Sequence, residues 1–328
     1  MAEIKPKILG AGSPILDILM NVSEDFVSSI PGSKGGMQLV GPDELDSLVA
    51  SSNAESIRVP GGSAGNTIFG LAKLGMDVSF FGKVGEDEDG AFYKKCLSEA
   101  GGDVKNFRNA GSVHTGRCLS LITPDSERTM RTDLGAAATL TEEDVDAIDF
   151  SGITHVHIEG YMLFAEKLLM RLLERSKKAG CTVSLDLASF EVVKAGRAVL
   201  PQMLSDYVDI VFSNEDEARE FCGDLAPEHA AEKLSNHCRT AVVKLGRDGC
   251  CIRHDAKTVK VPAELVKAVD TTGAGDLWQA GFLYSFLNGK SLEECGRSGS
   301  ILGAEVVQVI GAKIPDSRWE IIKKRIVS

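Results

Sequence analysis

From residue 153 onward the chain alternates short apolar runs with longer amphipathic stretches, and that alternation leaves few folds open. Residues 154–158, 182–187, 208–213 and 240–245 read as strands, and helical stretches near 165–179, 190–206 and 215–237 separate them. Strand, helix and strand in series pack as right-handed parallel crossovers, so the spacing predicts a mostly parallel sheet with helices on both faces. The upstream half begins the same way. Residues 7–10 read as a buried strand and 78–81 as another. Between them, 64–75 carries Ile68, Leu71, Ala72 and Gly75 at helical spacing, and 88–100 reads as a helix stopped by Gly101-Gly102.

The segment 113–133 breaks the pattern. Cys118-Leu119-Ser120-Leu121-Ile122 alternates, Thr123-Pro124-Asp125-Ser126-Glu127 is a turn, and Arg128-Thr129-Met130-Arg131-Thr132 alternates again. This predicts a hairpin with one wet face. With the stretch near 14–41 it forms a small add-on to the main sheet. No internal repeat or proline-rich linker divides the 328 residues, so the expected organisation is one domain, 1–328, with lid segments near 14–41 and 113–133.

Composition removes several functions. The 36 basic and 47 acidic residues give a net charge of −11, which argues against sequence-independent nucleic-acid binding but leaves room for a local basic site. No apolar run approaches the ~20 residues of a membrane helix, so no membrane partner is expected. Residues 1–7 pass straight into the first strand with no secretory signal. The eight cysteines contain no Cys-x-x-Cys, and they read as reduced thiols of a cytoplasmic protein.

Three features imitate sites. Gly10-Ala11-Gly12-Ser13-Pro14-Ile15 begins like a dinucleotide fingerprint, but the third glycine is missing and Pro14 stands where a helix should start. Gly289-Lys290-Ser291 imitates a Walker A end, yet Tyr284 replaces the required glycine and a helix precedes it. His155 and His157 share a strand face without an evident third ligand, so they read as core or surface histidines.

The informative turn is Val269-Asp270-Thr271-Thr272-Gly273-Ala274-Gly275-Asp276-Leu277-Trp278. Leu277, Ala280, Gly281, Tyr284 and Leu287 follow at helical spacing, and Asn288-Gly289 ends the run. The first N–H groups of a helix lack internal partners, and small residues at 273–275 leave them accessible. The dipole adds positive potential, so this is an anion site. Asp276 is then either an acidic residue favoured at a helix start or a base that takes a proton from an attacking hydroxyl.

Asp270-Thr271-Thr272-Gly273-Ala274-Gly275-Asp276 closely resembles the C-terminal signature of the PfkB (ribokinase-like) family of carbohydrate and nucleoside kinases. Pro60-Gly61-Gly62-Ser63-Ala64-Gly65-Asn66 is similar to its N-terminal signature. Gly12-Ser13-Pro14-Ile15-Leu16-Asp17 resembles its substrate-binding strand end, in the adenosine-kinase branch, where Asn usually stands at Ser13. Ser213-Asn214-Glu215-Asp216-Glu217 resembles its Asn-x-x-Glu motif, and Val243-Lys244-Leu245-Gly246-Arg247-Asp248-Gly249 its nucleotide-side strand and turn. The five stand in family order over roughly 10–311.

The resemblance implies a three-layer α/β/α fold with a small β lid, and an ATP-dependent kinase of a sugar or nucleoside. Asp276 would be the base, with the amides of Gly273, Ala274 and Gly275 as the anion hole. Ser13, Asp17, Gly61, Gly62 and Asn66 would bind the acceptor. Asn214, Lys244, Gly246, Gly249, Thr271, Gly273 and Gly275 would serve ATP. Glu217 would act on Mg2+ through water, although alone Asn214 and Glu217 also read as a capping box. Asp270 and Thr272 match positions that hold a monovalent cation such as K+ in several members. Arg128, past the lid turn, would reach the transferred phosphate. Phe164 and Phe190 are candidate walls for a purine. Adenosine, ribose, fructose and 2-keto-3-deoxygluconate all remain open as acceptors, as do monomer and homodimer. The contrasting reading is a non-catalytic sugar- or nucleotide-sensing module on the same scaffold.

Overall fold

The computed structural model describes residues 5–125 and 127–327. Residues 1–4, on which part of the N-terminal reading rests, lie outside it, as do Ser126 of the expected turn and Ser328. Among the described residues nine strands form the main sheet. Their order is Lys257–Val261, Cys250–His254, Thr240–Lys244, Ile210–Ser213, Thr182–Asp186, His155–Glu159, Lys7–Ala11, Asp77–Gly85 and Phe107–Ala110. Every pairing from Thr240–Lys244 to Phe107–Ala110 is parallel, and the other two strands run antiparallel.

Successive residues of a strand face opposite ways, and here both faces are apolar, as a sheet covered on both sides requires. Leu9, Val156, Val183, Val211 and Val243 enter one core, under Glu166–Lys178, Leu200–Tyr207 and Pro227–Ser235. Ile8, Phe80, Phe212, Val242 and Ile252 enter the other, under Ser63–Lys73, Ala274–Leu287, Leu292–Val306 and Trp319–Val327. Helix Glu166–Lys178 shows the sequence logic: Leu168, Leu169, Leu172 and Leu173 fall on one face and are buried. Each such leucine contributes about 1.5–3 kcal/mol by leaving water. Helix Ala274–Leu287 comes close to Ser63–Lys73 because Gly70 has no side chain; a Cβ there would lie 2.8 Å from Ala280 Cβ. That contact sets where the first turn of Ala274–Leu287 ends up.

A second sheet, ordered Met37–Leu39, Arg128–Asp133, Arg117–Ile122, Leu16–Asn21 and Ser56–Pro60, stands apart as the lid. Its Leu16–Asn21 strand follows Lys7–Ala11 of the main sheet after only four residues, so the two sheets share one continuous stretch of backbone. The lid is larger than expected, because Ser56–Pro60 adds a strand and Pro42–Ser52 a covering helix. The wet face expected of the hairpin holds only for Arg128–Asp133, which alternates buried with half-buried residues. Arg117–Ile122 is central in the lid. Leu119 and Leu121 pack with Leu45 and Val27, while Cys118 and Ile122 pack on the reverse side.

Two expected helices are each broken. The stretch 190–206 divides into Phe190–Ala195 and Leu200–Tyr207, with Gly196 after the first and Pro201 opening the second. The stretch 215–237 divides into Glu215–Cys222 and Pro227–Ser235 at Gly223, which takes φ 84°. His155 and His157 are wholly buried and bond Thr182 and Ser184, so they are core residues. All eight cysteines are free, and six of them are buried.

Candidate active site

Parallel strands gather their C-terminal ends along one edge, where the chain turns into helices. Here that edge and the lid enclose a cleft of about 560 Å3. At its floor helix Ala274–Leu287 begins. Gly273 supplies the left-handed φ of 67° that turns the backbone into the helix, and no side chain caps the first amides. Asp276 stands in this first turn. Its Oδ2 accepts from Asn66 Nδ2 at 2.9 Å and its Oδ1 from the Ser63 hydroxyl at 3.0 Å. Burial pushes the Asp276 carboxyl up to about 6, with Asp186 adding to the rise and the Asn66 bond, Lys244 and Ser63 opposing it. The first turns of two helices thus meet tip to tip around one carboxylate.

One side of the cleft is built from the main sheet and the lid together. Asp17, on Leu16–Asn21, is 8% exposed. Burial pushes its carboxyl up to about 7, Arg128 opposes that, and Asp276 and Asp270 reinforce it. Gly61 passes so close that a Cβ would sit 2.4 Å from Asp17 Oδ2. Gly62 needs φ 84°, and a Cβ there would strike the Ser13 carbonyl at 2.2 Å. Ser13 itself turns inward, its N–H donating to Glu159 at 2.8 Å. Asp17, Gly62, Ser63, Asn66, Arg128, Met130 and Tyr161 line this part of the cleft. Arg128 Nη1 is buried and, among the described residues, has no hydrogen-bond partner, while Nη2 approaches Met130 Sδ at 3.6 Å. Phe164 and Phe190 do not line the cleft. They are 67% and 48% exposed, because the turns after Glu159 and Asp186 point them outward.

On the other side stand Asn214, Glu217, Lys244, Gly246, Thr272, Gly273 and Gly275. Asn214 and Glu217 do form a capping box. Asn214 N–H donates to Glu217 Oε2 at 2.8 Å, its Nδ2 to Oε1 at 2.7 Å, and Glu217 N–H returns to Asn214 Oδ1 at 2.9 Å. Burial raises the Glu217 carboxyl, and Asp186 adds to this. Both oxygens are engaged, so Glu217 suits the outer sphere of a hydrated divalent ion, a small cation that keeps several waters. Asp270 accepts from Thr272 N–H at 2.9 Å and from Gly311 N–H at 2.7 Å, which ties the 270–273 turn to the chain beyond Leu292–Val306. Gly249, at φ 94°, accepts at its carbonyl from Leu245 N–H at 2.8 Å. Gly249, Thr271, Ala274, Gly61, Ser13 and Asp270 shape the cleft without lining it.

Several residues escaped the sequence reading. Asp186 ends its strand 4% exposed, 3.2 Å from Lys244 Nζ. Glu159, 1% exposed and pushed up to about 7 by burial, accepts N–H bonds from Ser13 and Ala64, bracing the turn after Lys7–Ala11 against the start of Ser63–Lys73. Ser63, Met130, Tyr161, Ala188, Glu215 and Asp216 also line the cleft. Position at the C-terminal end of a parallel strand was the available signal for Glu159 and Asp186.

The description pfkB family carbohydrate kinase matches residues 37–319. Among solved structures, a probable sugar kinase from Rhizobium etli superposes with a TM-score of 0.89 at 30% identity, covering 98% of this chain and 99% of that one. An adenosine kinase from Sinorhizobium meliloti superposes with a TM-score of 0.85 at 30% identity, covering 94% and 96%. A ribokinase from Haemophilus influenzae is 27% identical, covering 91% of this chain and 94% of its own. The fold is ribokinase-like, a mostly parallel sheet between helices with a small separate lid sheet. Family match, fold and an acid at the mouth of a bare helix end agree: the chain belongs to the pfkB family of carbohydrate kinases, phosphotransferases that act on an alcohol acceptor.

Proposed function

We propose that the enzyme transfers the γ-phosphoryl group of ATP to the primary hydroxyl of a ribofuranosyl nucleoside, with adenosine the first acceptor to test. The observation that carries this is the placing of Asp17 and Asp276 in one cleft, which Asn66 also lines while bonded to Asp276. A carboxylate accepts from two neighbouring hydroxyls at once, which suits Asp17 to a vicinal diol. Asp276 then faces the remaining primary hydroxyl. Met130 and Tyr161 give this end of the cleft an apolar rim for a flat base. The likeness to an adenosine kinase at 30% identity over 94% of the chain supports the same choice.

Asp276 accepts the proton of the hydroxyl as its oxygen attacks, worth typically ~10²–10⁴ in rate. The amides at 273–276 face the charge on the moving group, and Arg128 closes over it from the lid. Asn214 and Glu217 would hold the water shell of Mg2+, which supplies charge neutralisation across the triphosphate. Asp270 and Thr272 are assigned to a monovalent cation that stiffens the 270–273 turn. The lid excludes water, which would otherwise compete for the phosphoryl group. Asp17, Arg128 and Met130 of the lid line one cleft with Asp276 of the same chain, so the lid covers its own chain's cleft.

The test is a coupled ADP-release assay with adenosine, inosine, ribose, fructose and 2-keto-3-deoxygluconate at matched concentrations. Highest kcat/KM with adenosine supports the assignment. Preference for a free sugar would replace the nucleoside by that sugar, and ATP binding without turnover on any acceptor would favour the sensing module.

A further inference from the structure

Strand Thr240–Lys244 ends in an ammonium enclosed by acids. Its side chain is 13% exposed, and Nζ lies 3.2 Å from Asp186 Oδ1. Burial alone would lower its pKa, but Asp186, Glu217 and Asp276 together outweigh that and raise it, which favours the ammonium form. Nothing stands between this cation and the bare helix end: a Cβ placed on Gly275 would be 3.1 Å from Nζ. Among the described residues its one hydrogen bond goes to Asp186, so two of its three N–H donors are unspent.

We propose that Lys244 is a catalytic residue that donates to the phosphoryl group in flight, and that Asp186 is the positioning residue that keeps it there. The proposal rests on the phosphotransfer reading above and adds a residue to it. As the acceptor oxygen bonds to the γ-phosphorus, its proton passes to Asp276. The bond from phosphorus to the bridging oxygen breaks, and its electron pair leaves on ADP. Charge spreads over the three equatorial oxygens of the group. Lys244 faces the space above Gly275 that one of these oxygens enters.

Charge in the cleft gives the arrangement its purpose. The lining residues contribute six carboxylates and two cations, Arg128 and Lys244. Arg128 belongs to the lid, whereas Lys244 belongs to the rigid sheet and is in place before closure. Preplaced charge needs no reorganisation when the reaction occurs, and this is where electrostatic stabilisation is largest. Asp186 has a second use. A lysine free to swing would pair with Asp276 and hold the base, but the bond to Asp186 keeps it a neighbour of that carboxylate, not its partner.

A plain buried ion pair predicts something different, and K244M, K244R and D186N separate the two. Measured are kcat against pH, the affinity for Mg-ADP, and the affinity for Mg-ADP with aluminium fluoride, which mimics the group in flight and needs no acceptor turnover. Catalytic contact predicts that K244M lowers kcat by about 10²–10³-fold, the loss from one oxyanion donor, and weakens the fluoroaluminate complex in proportion, while Mg-ADP binding changes less than about fivefold. The acid limb of kcat moves to higher pH, because the cation opposing protonation of Asp276 is gone. K244R restores part of the rate and of the limb, and D186N loses rate with the lysine present. Should K244M fail to give wild-type circular dichroism, the same comparison is made with K244Q. The proposal is overturned if kcat stays within threefold, if Mg-ADP affinity falls as far as kcat does, or if the fluoroaluminate complex is unaffected. An inactive wild type that discriminated the fluoroaluminate complex from K244M would fault the acceptor assignment and leave Lys244 in place.

Discussion

Replacing Asp276 by Asn should nearly silence the enzyme and make it harder to unfold. The shape is kept: the amide oxygen can accept from Asn66 Nδ2, now 2.9 Å away, and the amide nitrogen can donate to Ser63, whose hydroxyl rotates to accept. The base is lost, so kcat should fall about 10²–10⁴-fold. Stability moves the other way. Above pH 6 the native state holds an ionised carboxylate whose pKa stands at about 6 against an ordinary 3.8, and that gap costs up to about 3 kcal/mol. Asn escapes this cost. At ~2.1 cal/mol/K per residue, unfolding a chain of this size carries an entropy near 0.7 kcal/mol/K, so 3 kcal/mol is worth roughly 4 °C in Tm. Scanning calorimetry of both proteins at pH 8 and at pH 4.5 checks it. The gain should be full at pH 8 and shrink to roughly a third at pH 4.5, where the native carboxyl is neutral and only the unfolded chain's is largely ionised. A kcat within tenfold of wild type refutes the base assignment, and a Tm that drops at pH 8 refutes the account of a carboxylate strained by burial.

Three further outcomes follow from the same geometry. D17N should raise KM for the acceptor about 10–100-fold, the loss of a charged hydrogen-bond acceptor, and leave KM for ATP unchanged; steady-state kinetics with each substrate varied in turn would expose the reverse pattern. Acceptor kcat/KM should climb with pH and level off above pH 7–8, because Asp276 and Asp17 titrate near 6 and 7 and both must be ionised to act; a limb centred near 4 in the pH–rate profile would contradict the buried site. E217Q sets an amide NH2 against one of the two Asn214 donors, so it should lose about 1 kcal/mol of cap and at least tenfold in the Mg2+ concentration for half-maximal rate, with acceptor KM unmoved; a Mg2+ titration of the variant at saturating acceptor reads this out.

Local chemistry made part of this molecule readable in advance. The uncapped helix start after Gly273 is legible because everything it needs lies within ten residues, from Asp270 to the first turn of Ala274–Leu287. The sheet strands were found because each is a short apolar run between helices. The broken helices were missed because apolar periodicity carries straight through Gly196 and Gly223, and only packing shows that the chain changes direction there. The Ser56–Pro60 strand was missed because it is an exposed edge with one buried residue, Val59. Cys250–His254 and Lys257–Val261 carry little strand signal because polar residues break their short apolar runs, Arg253 and His254 in the first and Lys257, Thr258 and Lys260 in the second. Phe164 and Phe190 were offered as walls on chemistry alone, and the turns that carry them decided otherwise. Asp186 and Glu159 act through partners 58 and 146 positions away, a distance that no local pattern spans.

The two sides of the cleft come from separate portions of the polypeptide. Under the proposed reaction, the lining positions 17–66 and 128–130 would surround the alcohol, and 186–276 the leaving diphosphate. Among the described residues, the hydrogen bonds of Ser63, Asn66 and Thr67 with Asp276 stitch these portions together at the proposed reaction centre. A graft of the first 133 residues from a relative with another sugar preference, retaining those three side chains, should therefore retarget the enzyme without rebuilding its phosphate donor machinery.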